Sequence, residues 1–442
     1  MKVKHYNNSF IEVEANGKKL ICDPWIGNTN EGAWYSYPMM KSPSYLNKLN
    51  PDFIYISHLH CDHFDPKTLN AFKKKNTPII IKNFEQKRLK NKIHKLGFKN
   101  IIEIDELIKK KLSAEFNVMI VPQMSSNTDG LEDKINYDLD TSIVIQSGIN
   151  KKILYNNVDN PLSIKELKNI NSLVLKKFKH RVNYMCFQIG AASGYPQSFL
   201  NIDRETEKNK ILEKNMKKIK TLYGIFKPDI FFPAGGTYMI SGKFHKLNRY
   251  ISQPSIKDLT TFSLTSNVNL QYIEGGNHLI TEETPRVNRT FNINSITKQK
   301  ALRRLSKIKY FYEKKCYDVS LNLLNELFVK SLNNYHSILK IKKINADWNI
   351  KLCVYDDLKL SNDYKISKKN SGFIRDYIIK GNLKSMRNSI DLTCHLDKKL
   401  LYCLLKRISP WNTALTGSII IFSRKSKKYN VTLENSLNFL AA

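Results

Sequence analysis

Ser57-His58-Leu59-His60-Cys61-Asp62-His63-Phe64-Asp65 is the stretch that decides the fold. It holds three of the chain's 10 histidines and two carboxylates. It runs straight on from Phe53-Ile54-Tyr55-Ile56, a short apolar run that reads as a buried strand. On an extended chain, alternate residues face the same side, so His58 and His60 reach one metal ion. Asp62 and His63 lie past the strand end, where the chain turns, and reach a second. Imidazole together with carboxylate suits Zn, Fe or Mn better than Mg or Ca. Two such ions, about 3.5–4 Å apart, activate a bridging water, or bind O₂ if they are iron. A single histidine is more often a core or surface residue. The full HxHxDHxD spacing after a strand is not what a solvated loop produces.

Outward from this stretch, strands and helices alternate, which predicts α/β layers. Residues 9–24 read as a hairpin turning at Asn16-Gly17. Further strands are expected at 78–81, 118–122, 141–146, 152–156 and 229–233. Helices are expected at 66–75, 84–96 and 203–226, the last ending at Gly224. Composition shifts near 285, and residues 297–330 read as helical and basic. The chain has 442 residues, which at about 150 per domain suggests two or three domains. The division read here is a catalytic domain over 1–285 and a smaller α+β domain over 295–442.

His58, His60, Asp62 and His63 resemble the first signature of the metallo-β-lactamase fold. That resemblance implies an αββα sandwich with two metal ions at one edge of the sheets. It also implies further ligands at later strand ends. Asp159, after Lys152-Ile153-Leu154-Tyr155, matches the family's bridging carboxylate, and with Asp62 is expected to be catalytic. His245, ten residues after Gly235, is the candidate last ligand, and His278 competes with it. Val121-Pro122-Gln123-Met124-Ser125-Ser126 occupies the place of the family's second signature and holds no histidine. His94 reads as a surface residue. The nearest carboxylates are Asp129, Asp133, Asp138 and Asp140.

The run from about 20 to 251 is similar to the catalytic domain of the CMP-N-acetylneuraminate hydroxylases. The matching words are Asp23-Pro24-Trp25, Tyr55-Ile56-Ser57-His58-Leu59-His60, Asp140-Thr141, Lys152-Ile153-Leu154 with Asp159, Gly190-Ala191-Ala192-Ser193-Gly194-Tyr195-Pro196, and His245 with Tyr250-Ile251. This resemblance favours His245 over His278. It also points to a carboxylate in the second-signature place, as in the β-hydroxylase of chloramphenicol biosynthesis, and Asp138 is the residue read for it. Trp25, Gln188 and Ser193 are candidate substrate contacts, with Trp34, Tyr35 and Tyr37 as an aromatic wall.

The animal hydroxylase also resembles Rieske proteins through a C-x-H…C-x2-H cluster. Here Cys61-Asp62-His63 is the one C-x-H, it overlaps the metal motif, and no C-x2-H follows. No Rieske cluster is therefore expected in this chain. The resemblance implies a dinuclear-metal oxygenase (iron) acting on a nucleotide-linked sugar in surface-glycan biosynthesis, with electrons from a separate protein. The alternative is a zinc or manganese hydrolase, whose metal-bound hydroxide attacks an ester, amide or phosphodiester. The phospholipase D that cleaves N-acyl phosphatidylethanolamine has a similar Gly-rich turn before its last histidine. Residues 389–441 are similar to small sterol-carrier-protein-like domains, with a packing or dimerisation module as the plainer reading.

The formal charge is 72 − 39 = +33, which attracts phosphates without regard to sequence. The excess is dominated by Lys, as in lysine-biased composition, and lacks the Arg clusters with interleaved aromatics of nucleic-acid binders. An anionic small-molecule substrate is expected and a nucleic-acid partner is not. Seven scattered cysteines, no apolar leader and no run of about 18 apolar residues point to a reducing cytoplasm and no transmembrane segment.

Overall fold

Asn16 and Gly17 both take left-handed backbone, with φ of 48° and 76°, the geometry of a two-residue hairpin turn. They join strands Phe10–Ala15 and Lys18–Cys22 with Ala15 opposite Lys18. The structure, a computed structural model, describes residues 1–40, 42–124, 140–190, 192–270, 278–280, 295–315, 317–384, 386, 388–425 and 430–442.

The hairpin lies in a seven-stranded sheet. Its order is His278–Ile280, Lys2–Asn7, Phe10–Ala15, Lys18–Cys22, Phe53–Tyr55, Ile79–Lys82 and Ile101–Ile104. A six-stranded sheet faces it, in the order Ile230–Pro233, Tyr184–Phe187, Ile153–Asn157, Thr141–Ser147, Phe116–Pro122 and Lys110–Lys111. Strand alternation divides the side chains between two layers. Ile143, Ile145 and Leu154 join Val3, Ile11, Val13 and Leu20 in the core between the sheets. Val144, Tyr155 and Met185 point the other way, onto helices Ile164–Phe178 and Arg204–Phe226. On the far side of the first sheet, Ile21, Ile54 and Ile79 pack against Leu46, Leu69 and Leu89 of helices Tyr45–Leu49, Pro66–Ala71 and Arg88–Lys95. The layers run helix, sheet, sheet, helix, the expected αββα sandwich.

The later residues form a four-stranded sheet in the order Phe373–Lys380, Asn349–Tyr355, Leu392–Asp397 and Ile421–Arg424. Helices Leu321–Ile341 and Lys398–Leu405 pack with it in one core. That core runs on through Tyr310 and Phe199 to Trp25 and Trp34 of the sandwich. Backbone bonds join the same regions: Phe422 N donates to Ser198 O and Leu200 N to Phe422 O, both at 2.8 Å.

The helical stretch read over 297–330 resolves into three helices: Ser295–Leu305, Phe311–Lys314 and Leu321–Ile341. The third starts afresh because the Ser320 side chain caps it, accepting from Leu323 N. Helix Ile164–Phe178 was not among the expected elements. Its signal is local: a Ser163/Glu166 capping box, with Leu167, Ile170, Val174 and Phe178 buried along one face. Among the described residues, no helix is long and apolar enough to cross a membrane.

Lys243 fixes the helical segment Gly242–Tyr250 to the later residues. Its ammonium lies 2.6 Å from Asp397, 2.9 Å from Asp357 and 3.5 Å from Glu313. These three acids are grouped closely enough for a metal, but a cation already stands among them. Replacing Lys243 by Met leaves the buried Asp397 with no cation, only the hydrogen bonds from the Tyr312 hydroxyl and Leu358 N. We expect Lys243→Met to lower stability by about 3 kcal/mol, read from chemical denaturation, and Lys243→Arg to recover part of it.

Candidate metal centre

The centre is assembled where the ends of the two sheets meet. From the first sheet, strand Phe53–Tyr55 delivers Ser57 and His58, and the following turn carries His60, Asp62 and His63. From the second, Asp140 precedes strand Thr141–Ser147, and Asp159 follows strand Ile153–Asn157. Thr141 links the two sides: its hydroxyl donates to Ser57 O at 2.7 Å and stands 2.6 Å from the Tyr55 hydroxyl. That clamp brings Asp140 to the histidines.

Two groups of donor atoms result. In one, His58 Nε2 lies 2.8 Å from His60 Nδ1, and Asp140 Oδ1 lies 3.2 and 3.7 Å from those two nitrogens. In the other, His63 Nε2 lies 2.6 Å from Asp159 Oδ2 and 3.7 Å from Asp62 Oδ2. The groups adjoin, since the His58 and His63 rings are 4.1 Å apart at their centroids. Asp159 Oδ1 is buried and has no hydrogen-bond partner among the described residues. Three imidazoles packed together, three carboxylates and one orphaned buried oxygen are a donor set that fits two divalent cations.

The outer atoms of the histidines are tied down, which sets which nitrogen faces the centre. Asp23 accepts from Ser57 N at 2.8 Å, from the Ser57 hydroxyl at 2.7 Å and from His63 Nδ1 at 2.8 Å. The Ser57 hydroxyl is already donating, so His58 Nδ1, 2.9 Å away, donates to it. Both histidines thereby turn Nε2 inward. Asp23 and Asp159 sit in left-handed backbone, with φ of 43° and 60°, a conformation that Asp tolerates better than most residues. Gly235 lets the neighbouring loop approach: a Cβ there would come 2.5 Å from Val158 Cγ1. Asn8 receives Gly235 N on its carbonyl and turns its amide toward Asp62 Oδ2 at 3.4 Å.

Electrostatics divide the histidines. Burial, aided by the neighbouring His63 and His60, pushes the His58 pKa well down, so its ring is neutral and ready to ligate. Burial also opposes charge on His63, but Asp62, Asp23 and Asp159 around it win and hold its pKa well above the usual range. Asp159 is itself buried, and His63 holds it below the ordinary carboxylate value. A proton on His63 Nε2 stands where a metal would.

Asp138, with Asp129 and Asp133, lies outside the described residues. Among the described residues, the carboxylate that meets His58 and His60 is Asp140. His245 belongs to neither donor group; it is on the segment Gly242–Tyr250, with Nδ1 2.9 Å from Gly242 O. His278 pairs with His5 at the edge of the first sheet. His94 is on the surface, near Phe98 O. Trp25 is fully buried in the core. Trp34 is buried too, stacked 3.7 Å from Tyr238. Ser193 shapes its own turn, its hydroxyl accepting from Tyr195 N. Gln188 is half-buried just past strand Tyr184–Phe187. Asp23 and Ser57 were missed as functional residues, although both stood in the matching words.

The chain is similar to CMP-N-acetylneuraminic acid hydroxylase. Against the protein of Pan troglodytes it is 25% identical over 274 residues, covering 58% of this chain and 41% of that one. Against a Mycolicibacterium smegmatis protein named "Putative Rieske 2Fe-2S iron-sulfur protein" it is 27% identical over 124 residues, covering 27% of this chain and 24% of that one. The chain thus spans between 24% and 41% of the length of these curated relatives. No family model matches it. Among solved structures, CmlA, a diiron beta-hydroxylase from Streptomyces venezuelae, aligns at 12% identity and a TM-score of 0.41, over 63% of this chain and 53% of that one. An isothiocyanate hydrolase from Delia radicum gut bacteria aligns at 15% and 0.41, over 64% and 99%.

Asp23→Asn keeps the left-handed backbone but removes the charge that orients His63. We expect it to weaken metal binding by about 10- to 100-fold in a competitive chelator titration. Because His63 is protonated in the metal-free protein, metal uptake near pH 7 releases protons. Apparent affinity should therefore rise with pH, and the binding heat should depend on the ionisation enthalpy of the buffer.

Proposed function

We propose that the chain is a dinuclear metalloenzyme that oxygenates a nucleotide-linked sugar in surface-glycan biosynthesis. The convergence of six donor residues from both sheets on one seam carries the metalloenzyme reading. The likeness to the hydroxylases over 58% of the chain supports the choice of reaction. In this reading His58, His60 and Asp140 would hold one ion and Asp62, His63 and Asp159 the other, with the second Asp159 oxygen also available to a metal. Two divalent ions would supply Lewis-acid charge, with oxygen activation if they are iron and water activation if they are zinc.

The protein's own part is positioning. Asp23 and Ser57 hold His63 and His58 with Nε2 inward, and Asn8 holds Asp62. Burial keeps His58 neutral, and a low local dielectric strengthens every charge in the site. The oxygenase reading takes its electrons from a donor outside these 442 residues, which contain no C-x-H…C-x2-H pair. The domain division is proposed with the centre in 1–285 and the α+β region in 295–442.

Metal analysis of protein purified without oxygen tests the reaction. About two irons per chain is the expected result. Stoichiometric zinc with esterase or phosphodiesterase turnover would replace oxygenation by hydrolysis. Asp159→Asn, which keeps the left-handed backbone, should abolish activity and lower metal content. Asp140→Asn should lose about one of the two ions while Asp138→Asn keeps both; the reverse result would move the ligand to Asp138.

A further inference from the structure

A groove of about 1080 Å³ opens beside the metal centre. Its floor includes His5 and Thr237. Both touch Asn8, which also faces Asp62: His5 Nε2 is 2.7 Å from Asn8 O, and Asn8 N donates to Thr237 Oγ1 at 2.9 Å. The floor is thus one residue removed from a proposed metal ligand.

Its walls are cationic. Lys208, Lys246, Arg249, Lys257, Lys298 and Arg303 line it, against a single acid among the described residues, Asp258. Asp258 is engaged in its own helix start, accepting from Ser255 N and the Ser255 hydroxyl at 2.7 Å. Lys208 and Arg249 share Glu205. Lys257 and Arg303 meet no carboxylate among the described residues and are exposed to the groove. They stand on different parts of the chain: Lys257 on helix Ile256–Ser266 and Arg303 on helix Ser295–Leu305. A concave surface lined by one sign of charge concentrates ligands of the other sign. An Arg presents a planar fork of donors that matches a phosphate, and a Lys adds a point charge.

We propose that this groove is a phosphate-binding subsite for a small phosphate ester, clamped between Lys257 and Arg303. Helix Ser295–Leu305 supplies one wall, so residues beyond the sandwich complete the site. This deepens the reading of the metal centre and rests on it for the assumption that ligand bound here is substrate.

The test uses the full chain, with CMP, inorganic phosphate and uncharged cytidine as probes in calorimetry, and with metal content measured on every preparation. CMP and phosphate should bind and cytidine should not. Lys257→Glu with Arg303→Glu should weaken CMP binding at least about tenfold with metal content unchanged. Both residues are exposed, so folding is not at stake, and Lys92→Glu on helix Arg88–Lys95 should change nothing. CMP affinity within about twofold of the unaltered protein, equal binding of cytidine, or no binding of either anion up to about 10 mM would overturn the subsite. A single-stranded oligonucleotide that binds far more tightly than CMP and loses affinity in the same variant would overturn it in favour of a polynucleotide. Unaltered protein that binds CMP but holds no metal would count against the metalloenzyme reading and not against the groove.

Discussion

His63 and Asp159 meet at 2.6 Å although they come from different sheets. Their contact needs both sheets to end at the same seam. It also needs Asp159 in left-handed backbone and a glycine at 235 so that the adjoining loop does not strike Val158. Each side is braced separately. Asp23 and Ser57 fix the histidines from behind, and Thr141 ties the second sheet to Ser57. A buried ring among three carboxylates is stable only if its charge is balanced. His63 achieves this with a proton; a metal ion would achieve it by replacing that proton.

The later residues are tied to the sandwich by three independent means. One apolar core runs through both. The strand Ile421–Arg424 bonds to the backbone of residues 198–200. Lys243 joins three acids from the later residues to the segment that carries His245. That segment also walls the cationic groove. Residues 296–442 hold 29 Lys and Arg against 11 Asp and Glu, a net of 29 − 11 = +18. Part of that excess, Lys298 and Arg303, faces the groove. What composition presents as general lysine bias therefore has a local placement beside the centre.

The sequence by itself determined whatever depends on near neighbours. The Asn16-Gly17 turn is set by its own backbone preference, the strand before His58 by its apolar run, and the pairing of His58 with His60 by the period of an extended chain. Helix Ile164–Phe178 carried an equally local signal in its capping box and apolar face. Only the tertiary structure brings Asp140 to His58 and His60, because the Thr141 clamp to Ser57 is a contact across 84 positions. Burial of Trp25, the place of His245 outside both donor groups, and the groove between Lys257 and Arg303 are decided the same way. Each depends on which distant side chains share the space, and no local pattern of residues encodes that.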